Sequence, residues 1–166
     1  MSDKETNQLK LISGSPEDTE KIGFLLADLF PYGTTVALYG DLAAGKTALS
    51  KAIFSGLHYK EQFSSPTYTI INEYTKPGAH AFHMDVYRLS ESDELDYTGY
   101  DDCFEDAELI VIEWANLVES RLPHSKIVRI FLDRTDEDTE RVLTVETDDS
   151  DLFALMKEKL HAYIGN

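Results

Sequence analysis

Gly40-Asp41-Leu42-Ala43-Ala44-Gly45-Lys46-Thr47 fits the spacing G-x-x-x-x-G-K-[ST], a pattern that holds phosphate. The glycines let the backbone bend so that successive N–H groups face the anion. The Lys46 ammonium reaches the β- and γ-phosphates, and the Thr47 hydroxyl is an oxygen ligand for Mg²⁺. Ala48, next in the chain, belongs to the same nucleotide-contacting stretch. The flanks agree. Residues 34–39 are apolar and rich in strand formers, and residues 48–57 read as a helix. A strand, a tight turn and a helix N-terminus bring backbone donors and the positive end of a helix dipole to one point. The implied ligands are ATP and Mg²⁺.

Binding is not yet hydrolysis, which needs a second acid near the ion and a group that positions the attacking oxygen. Glu113 directly follows the apolar run Leu109-Ile110-Val111-Ile112, where the Walker B acid of a P-loop protein sits at the carboxyl end of a core strand. The plainer reading is an acid at the start of a helix led by Trp114. Ser64-Ser65-Pro66-Thr67-Tyr68-Thr69 follows the loop by about twenty residues, and Thr67 could join a switch-like segment around Mg²⁺. Alone, Ser-Pro-Thr is ordinary turn chemistry.

His83-Met84-Asp85-Val86-Tyr87-Arg88 carries more functional groups than a structural strand requires. With Met84 facing the core, alternation puts His83 and Asp85 together on the opposite face. Asp85 can orient water or hold Mg²⁺ through water, and Arg88 can meet phosphate or a nearby acid. A single histidine is usually a satisfied packing residue, so His83 receives no catalytic role. Trp114, the one tryptophan, reads as packing, with base stacking or an interface as alternatives. One cysteine and five scattered histidines show no zinc-ligand spacing.

The elements that must position these groups follow from local pattern. Residues 9–12 suggest a first strand. Ser15-Pro16-Glu17-Asp18 opens a helix with a capping hydroxyl, proline in the first turn and two acids beside the dipole. Ile22, Leu25, Leu26, Leu29 and Phe30 give it one apolar face, and Pro31-Tyr32-Gly33 ends it. Further strands are expected over 68–74, 81–85 and 109–112. The last run is continuously apolar, as in a strand buried on both sides. Residues 90–104 suggest helical pieces broken near Gly99, and residues 114–122 another helix before Pro123. Residues 127–132 and 141–145 read as an antiparallel pair around an acidic turn, and residues 151–163 as a final amphipathic helix. The expected fold is α/β: one three-layer α/β/α P-loop domain over residues 1–166, with a mainly parallel central sheet and a C-terminal antiparallel hairpin.

Composition narrows the function classes. With 42% hydrophobic residues the chain is globular in type, and no apolar run approaches the length of a membrane span. A polar start without an apolar core and a lone Cys103 point to a reducing cytoplasm. Fifteen basic against 31 acidic side chains give a net charge of −16, which repels a nucleic-acid backbone. The acids concentrate in two runs. Residues 85–108 hold ten with one base, and residues 133–151 hold nine with two. Each is either a solvated face or a docking surface for a basic partner.

The ordered set of motifs resembles one family. The phosphate loop, Ser65-Pro66-Thr67-Tyr68-Thr69, Asn72-Glu73-Tyr74, His83-Met84-Asp85-Val86-Tyr87-Arg88-Leu89 and Ile112-Glu113-Trp114-Ala115 follow the order and spacing of the TsaE proteins. Gly99-Tyr100-Asp101-Asp102-Cys103-Phe104 is similar to a Gly-Leu-Asp-Asp-Tyr-Phe stretch of that family. The likeness spans roughly residues 10 to 135. It implies a small ATPase of bacterial tRNA threonylcarbamoyladenosine biosynthesis. Such a protein works with TsaB and TsaD, meets tRNA through that complex, and supports the complex's turnover without transferring the group itself. Carried over by position, Lys46 and Thr47 serve phosphate and Mg²⁺, Thr67 lies in a switch-like loop, Glu113 is the Walker B acid, and Asp85 makes a further ion or water contact. Ala43 and Ala48 stand where the family often has glycine and threonine. These changes are expected to alter loop flexibility or basal rate while leaving nucleotide binding intact.

Two other classes use the same loop. A small-molecule kinase needs an arginine-rich lid to clamp a second phosphorylated substrate, and the bases here are sparse for that. A non-catalytic nucleotide-dependent binding module would hold ATP without turnover. No Asn-Lys-x-Asp motif for reading guanine occurs in the chain.

Overall fold

Strand-forming residues alternate between two buried faces, and this alternation sets the architecture. A computed structural model describes residues 6–60, 70–87, 89 and 92–165. The described residues form seven strands: β1 (Asn7–Ser13), β2 (Thr34–Tyr39), β3 (Ile71–Lys76), β4 (Ala79–Asp85), β5 (Leu109–Glu113), β6 (Ile127–Arg134) and β7 (Arg141–Thr147). They form one sheet in the order β1-β7-β6-β2-β5-β4-β3. The middle is parallel, with β2 between β6 and β5 and with β4 beside β5. Hairpins β6–β7 and β3–β4 and the β1–β7 pair make the flanks antiparallel.

Three α-helices, α1 (Pro16–Leu29), α2 (Lys46–Gly56) and α3 (Ser150–Lys159), join one core with Val36, Leu38, Leu109, Val111, Val128 and Ile130 of the sheet. The alternate residues Ala37, Met84, Ile110 and Ile112 meet Leu95, Tyr100, Cys103, Val118 and Leu122 in a second core. This second layer is built from short 3-10 segments, Ser92–Tyr97, Asp101–Phe104 and Ala115–Arg121. The helix expected over 114–122 is therefore a 3-10 stretch, and it is interrupted at Val118 (φ −130°). The last helix stops at Lys159 and a separate 3-10 turn follows at His161–Tyr163. Of the strand expected over 68–74, residues 71–74 lie in β3, and residues 68 and 69 lie outside the described set. Among the described residues no helix is long and apolar enough to cross a membrane.

Local chemistry explains α1. Ser15 Oγ accepts the Asp18 N–H at 3.1 Å, Pro16 occupies the first turn, and Glu17 and Asp18 face the dipole. Phe30 is extended (ψ 127°), the conformation that a following proline imposes. Helix α1 in turn holds α2. A Cβ on Gly23 would sit 2.5 Å from Ala52 Cβ, and one on Gly56 would sit 2.7 Å from Ala27 Cβ. Hydrogen at these positions is what lets the helices approach. Beyond the end of α2, Tyr59 donates to Glu108 at 3.0 Å, and Lys76 pairs with that carboxylate at 2.7 Å.

The α1–α2 contact makes a prediction whose sign runs against helix propensity. Alanine is the better helix former by about 1 kcal/mol. Gly23→Ala nevertheless lowers stability by about 1–3 kcal/mol through overpacking, and Ala52→Gly in that background recovers part of the loss. Denaturant unfolding of the wild type and the two variants checks it; a stabilised Gly23→Ala protein contradicts the packing argument.

Candidate nucleotide site

Parallel pairing brings three strand ends to one edge of the sheet. Leu38 of β2 and Asp85 of β4 both lie in register with Glu113, the last residue of β5. The chain leaves β2 through Gly40 (φ 151°) and enters α2 through Gly45 (φ 107°). A Cβ on Gly40 would lie 2.7 Å from the Leu132 carbonyl, so glycine is required there by space as well as by backbone angle. A turn closed by Ala44 N–H donating to the Asp41 carbonyl (3.1 Å) joins the two glycines. Leu49 N–H to the Gly45 carbonyl, at 3.0 Å, is the first helical bond of this end. The first-turn N–H groups of Lys46, Thr47 and Ala48 therefore have no partner within the helix, which is what an anion site uses.

Lys46 is 5% exposed, and its ammonium donates to the Gly40 and Asp41 carbonyls, the latter at 2.9 Å. It also lies 3.9 Å from the centre of the Trp114 ring. Burial pushes its pKa below the ordinary lysine value, opposed by Glu113, Asp85 and Asp41. The charge is held by loop carbonyls and an aromatic face, groups that a phosphate oxygen can replace.

Glu113 is 1% exposed, and burial alone would push its pKa up. The direction reverses because His83 hydrogen-bonds to it, Thr47 donates to it and Lys46 lies nearby, holding the carboxyl below its usual value. Thr47 Oγ1 donates to Oε1 at 2.8 Å, and His83 Nε2 contacts Oε2. Ser50 divides its hydroxyl between the Lys46 carbonyl (2.9 Å) and Oε2 (3.4 Å). A buried carboxylate thus faces the first turn of α2, beside the hydroxyl expected to share its ion.

Leu42, Ala43, Ala44, Gly45, Lys46, Thr47 and Ala48 line a cleft of 320 Å³ together with Asp85, Tyr87, Glu113 and Trp114. Gly40 and Asp41 contribute the carbonyls that hold Lys46. Asp85 also accepts the Tyr87 N–H at 3.1 Å. The oxygen donors converging here, a hydroxyl and two carboxylates, suit a hard cation that completes its shell with phosphate and water. Among the described residues no three His, Cys, Asp or Glu side chains form a preformed metal cage. Thr67 and Arg88 lie outside the described residues.

Sequence reasoning missed three partners. His83, read as a satisfied packing histidine without a catalytic role, is indeed 1% exposed and satisfied, but its partner is Glu113, which the sequence reading did not name. Its place on the Asp85 face was the available signal. Strand β4 is buried on both faces, so the face opposite Met84 is interior rather than solvent. Ser50, one turn into α2, and Arg141, whose Nε donates to the Ala44 carbonyl of the loop at 3.2 Å, carried no signal in the motif. Trp114 combines packing with a backbone role: its φ of 62° turns the chain sharply after Glu113, and its ring lies 4.6 Å from that of Tyr87. Ala43 is left-handed as well (φ 63°), which costs a non-glycine residue about 1 kcal/mol and explains why glycine suits the position.

Comparison with known proteins identifies a family. The family described as "Threonylcarbamoyl adenosine biosynthesis protein TsaE" matches residues 13–143. The tRNA threonylcarbamoyladenosine biosynthesis protein TsaE of Bacillus subtilis is 39% identical over 137 residues, covering 82% of this chain and 84% of its own. The Treponema pallidum protein of the same name is 34% identical over 134 residues, covering 79% and 98%. The crystal structure of Bacillus subtilis YdiB superimposes with a TM-score of 0.77 at 32% identity, covering 95% of this chain and 97% of the other. With a family match over residues 13–143 and relatives above 30% identity along most of its length, the chain belongs to the TsaE family.

Proposed function

We propose that this protein binds ATP with Mg²⁺ and hydrolyses it in support of threonylcarbamoyl modification of tRNA adenosine next to the anticodon, acting with TsaB and TsaD. One observation carries the catalytic part. The Thr47 hydroxyl and the buried Glu113 carboxylate meet at 2.8 Å at the mouth of a loop whose lysine is already in place. Thr47 and Glu113 would hold Mg²⁺, with Asp85 reaching it directly or through water. Bound there, the ion neutralises charge on the β- and γ-phosphates.

The chain's own residues do the rest. Lys46 exchanges the Gly40 and Asp41 carbonyls for phosphate oxygens, and the loop amides cradle the anion. Asp85, at the edge of the cleft, orients the attacking water. That water forms a bond to the γ-phosphorus as the bond to the ADP oxygen breaks, and its proton passes to an oxygen of the departing phosphate, leaving ADP and phosphate. Trp114 and Tyr87 wall the same cleft and limit water on that side. Lys46 is the one cation among the described residues that line the cleft, which favours water over a second phosphorylated substrate as the acceptor. The net charge of −16 favours contact with tRNA through partner proteins.

The decisive experiment measures ATP hydrolysis with and without TsaB, TsaD and tRNA, scoring modified adenosine in parallel. Slow hydrolysis alone, stimulation by the complex and ATP-dependent modification are expected. Tight ATP binding with no turnover under any condition would replace the ATPase reading with a binding module. Lys46→Ala weakens ATP binding by about a hundredfold or more, read by titration calorimetry. Glu113→Gln lowers hydrolysis about a hundredfold while leaving ATP affinity within a few-fold; normal turnover in that variant removes the metal role of Glu113. His83→Ala raises the Mg²⁺ concentration needed for half-maximal hydrolysis about tenfold, and His83→Gln, which keeps an N–H donor, raises it less. Equal behaviour of the two histidine variants argues against orientation of Glu113 by that bond.

A further inference from the structure

We propose that Arg141 is a positioning residue for the phosphate loop, clamping its outer turn in the anion-binding shape that Ala43 alone would not keep. The inference rests on the nucleotide reading of the cleft and concerns how this chain maintains it. Arg141 opens β7, far from the loop in sequence, and its guanidinium bridges two elements. Nη1 donates to the Asp138 and Glu140 carbonyls at 2.7 and 2.8 Å, fixing the fork to the end of the β6–β7 turn. Nε donates to the Ala44 carbonyl at 3.2 Å and Nη2 to the Ala43 carbonyl at 3.4 Å. These four bonds all go to main-chain carbonyls, although Arg141 stands among the acids of residues 133–151. A planar, forked donor suits this task in a way that a lysine does not.

Peptide geometry says what the clamp achieves. In a trans peptide the C=O and the following N–H point in opposite directions. Holding the Ala43 carbonyl toward Arg141 turns the Ala44 N–H inward, where it closes the loop on the Asp41 carbonyl. Holding the Ala44 carbonyl toward Arg141 turns the Gly45 N–H away from the guanidinium, to the side where phosphate would bind. Relaxation of the loop would rotate these peptides and present carbonyl oxygens to the anion. The pressure to relax comes from the residue at position 43. Ala43 is held at φ 63°, a conformation that disfavours a residue with a Cβ and that persists only when its surroundings enforce it. Arg141 supplies that enforcement, and glycine at 43 makes it largely unnecessary.

A double-mutant cycle tests the inference by titrating Mg·ADP and a fluorescent ATP analogue into four full-length proteins: wild type, Arg141→Ala, Ala43→Gly and the double variant. Arg141→Ala is expected to bind about tenfold more weakly than wild type, and the double variant to recover to within about threefold of wild type, with the Ala43→Gly single variant as the reference that closes the cycle. Thermal unfolding of each variant separates loop shape from global stability, and recovery by Ala43→Gly is a result that general destabilisation does not produce. Wild-type affinity in Arg141→Ala overturns the inference. So does a loss that Ala43→Gly leaves unchanged, which assigns Arg141 to direct ligand contact. Failure of the wild-type protein to bind either nucleotide overturns the nucleotide reading itself, a result distinct from both.

Discussion

The structure around the cleft depends on keeping one carboxylate ionised where water does not reach it. Glu113 is 1% exposed, and a charge so placed is tolerated only when donors surround it. Those donors come from two directions: Thr47 and Ser50 from the first turns of α2, and His83 from the neighbouring strand β4. Removing any one leaves part of a buried charge without a partner, a change that typically costs several kcal/mol in a low-dielectric site. The carboxylate therefore ties the helix that carries the phosphate loop to the two strands beside it. The same requirement suits the proposed function, because a carboxylate held ready by hydrogen bonds can turn to a cation without first losing a proton.

Sheet order makes this contact possible. With β5 between β2 and β4, Glu113 lies between the strand that feeds the phosphate loop and the strand that ends in Asp85. Parallel register puts all three strand ends at one edge. The antiparallel flanks have a different use. Strand β7 returns beside β6 and brings Arg141 to the outside of the loop, while β6 supplies the Leu132 carbonyl that excludes a side chain from Gly40. The loop is held from within by Lys46 and from without by Arg141, and both cations use main-chain carbonyls to do so.

Much of this was legible in the chain. The G-x-x-x-x-G-K-[ST] spacing, the Ser15-Pro16 helix start and the apolar run ending at Glu113 each express local chemistry: a backbone angle, a cap, or a side-chain period. The elements they imply appear with small shifts at their ends. Residues 114–122 were less legible. Their helical composition yields to the left-handed turn at Trp114 and the break at Val118, because Ala115, Val118 and Leu122 must reach the second core.

By itself, then, the sequence determined the phosphate loop, the strand and helix that flank it, the acid at the end of β5 and the family likeness, because neighbouring residues specify all of them. Tertiary structure alone decided that His83 would be the partner of Glu113 across 30 residues, and that Arg141 would reach the loop from 98 residues away. It also decided that β4 would be buried on both faces, turning a histidine that looked like packing into a partner of Glu113. These are consequences of strand order and register, which arise from how the whole sheet buries its two faces and have no signature within any single segment.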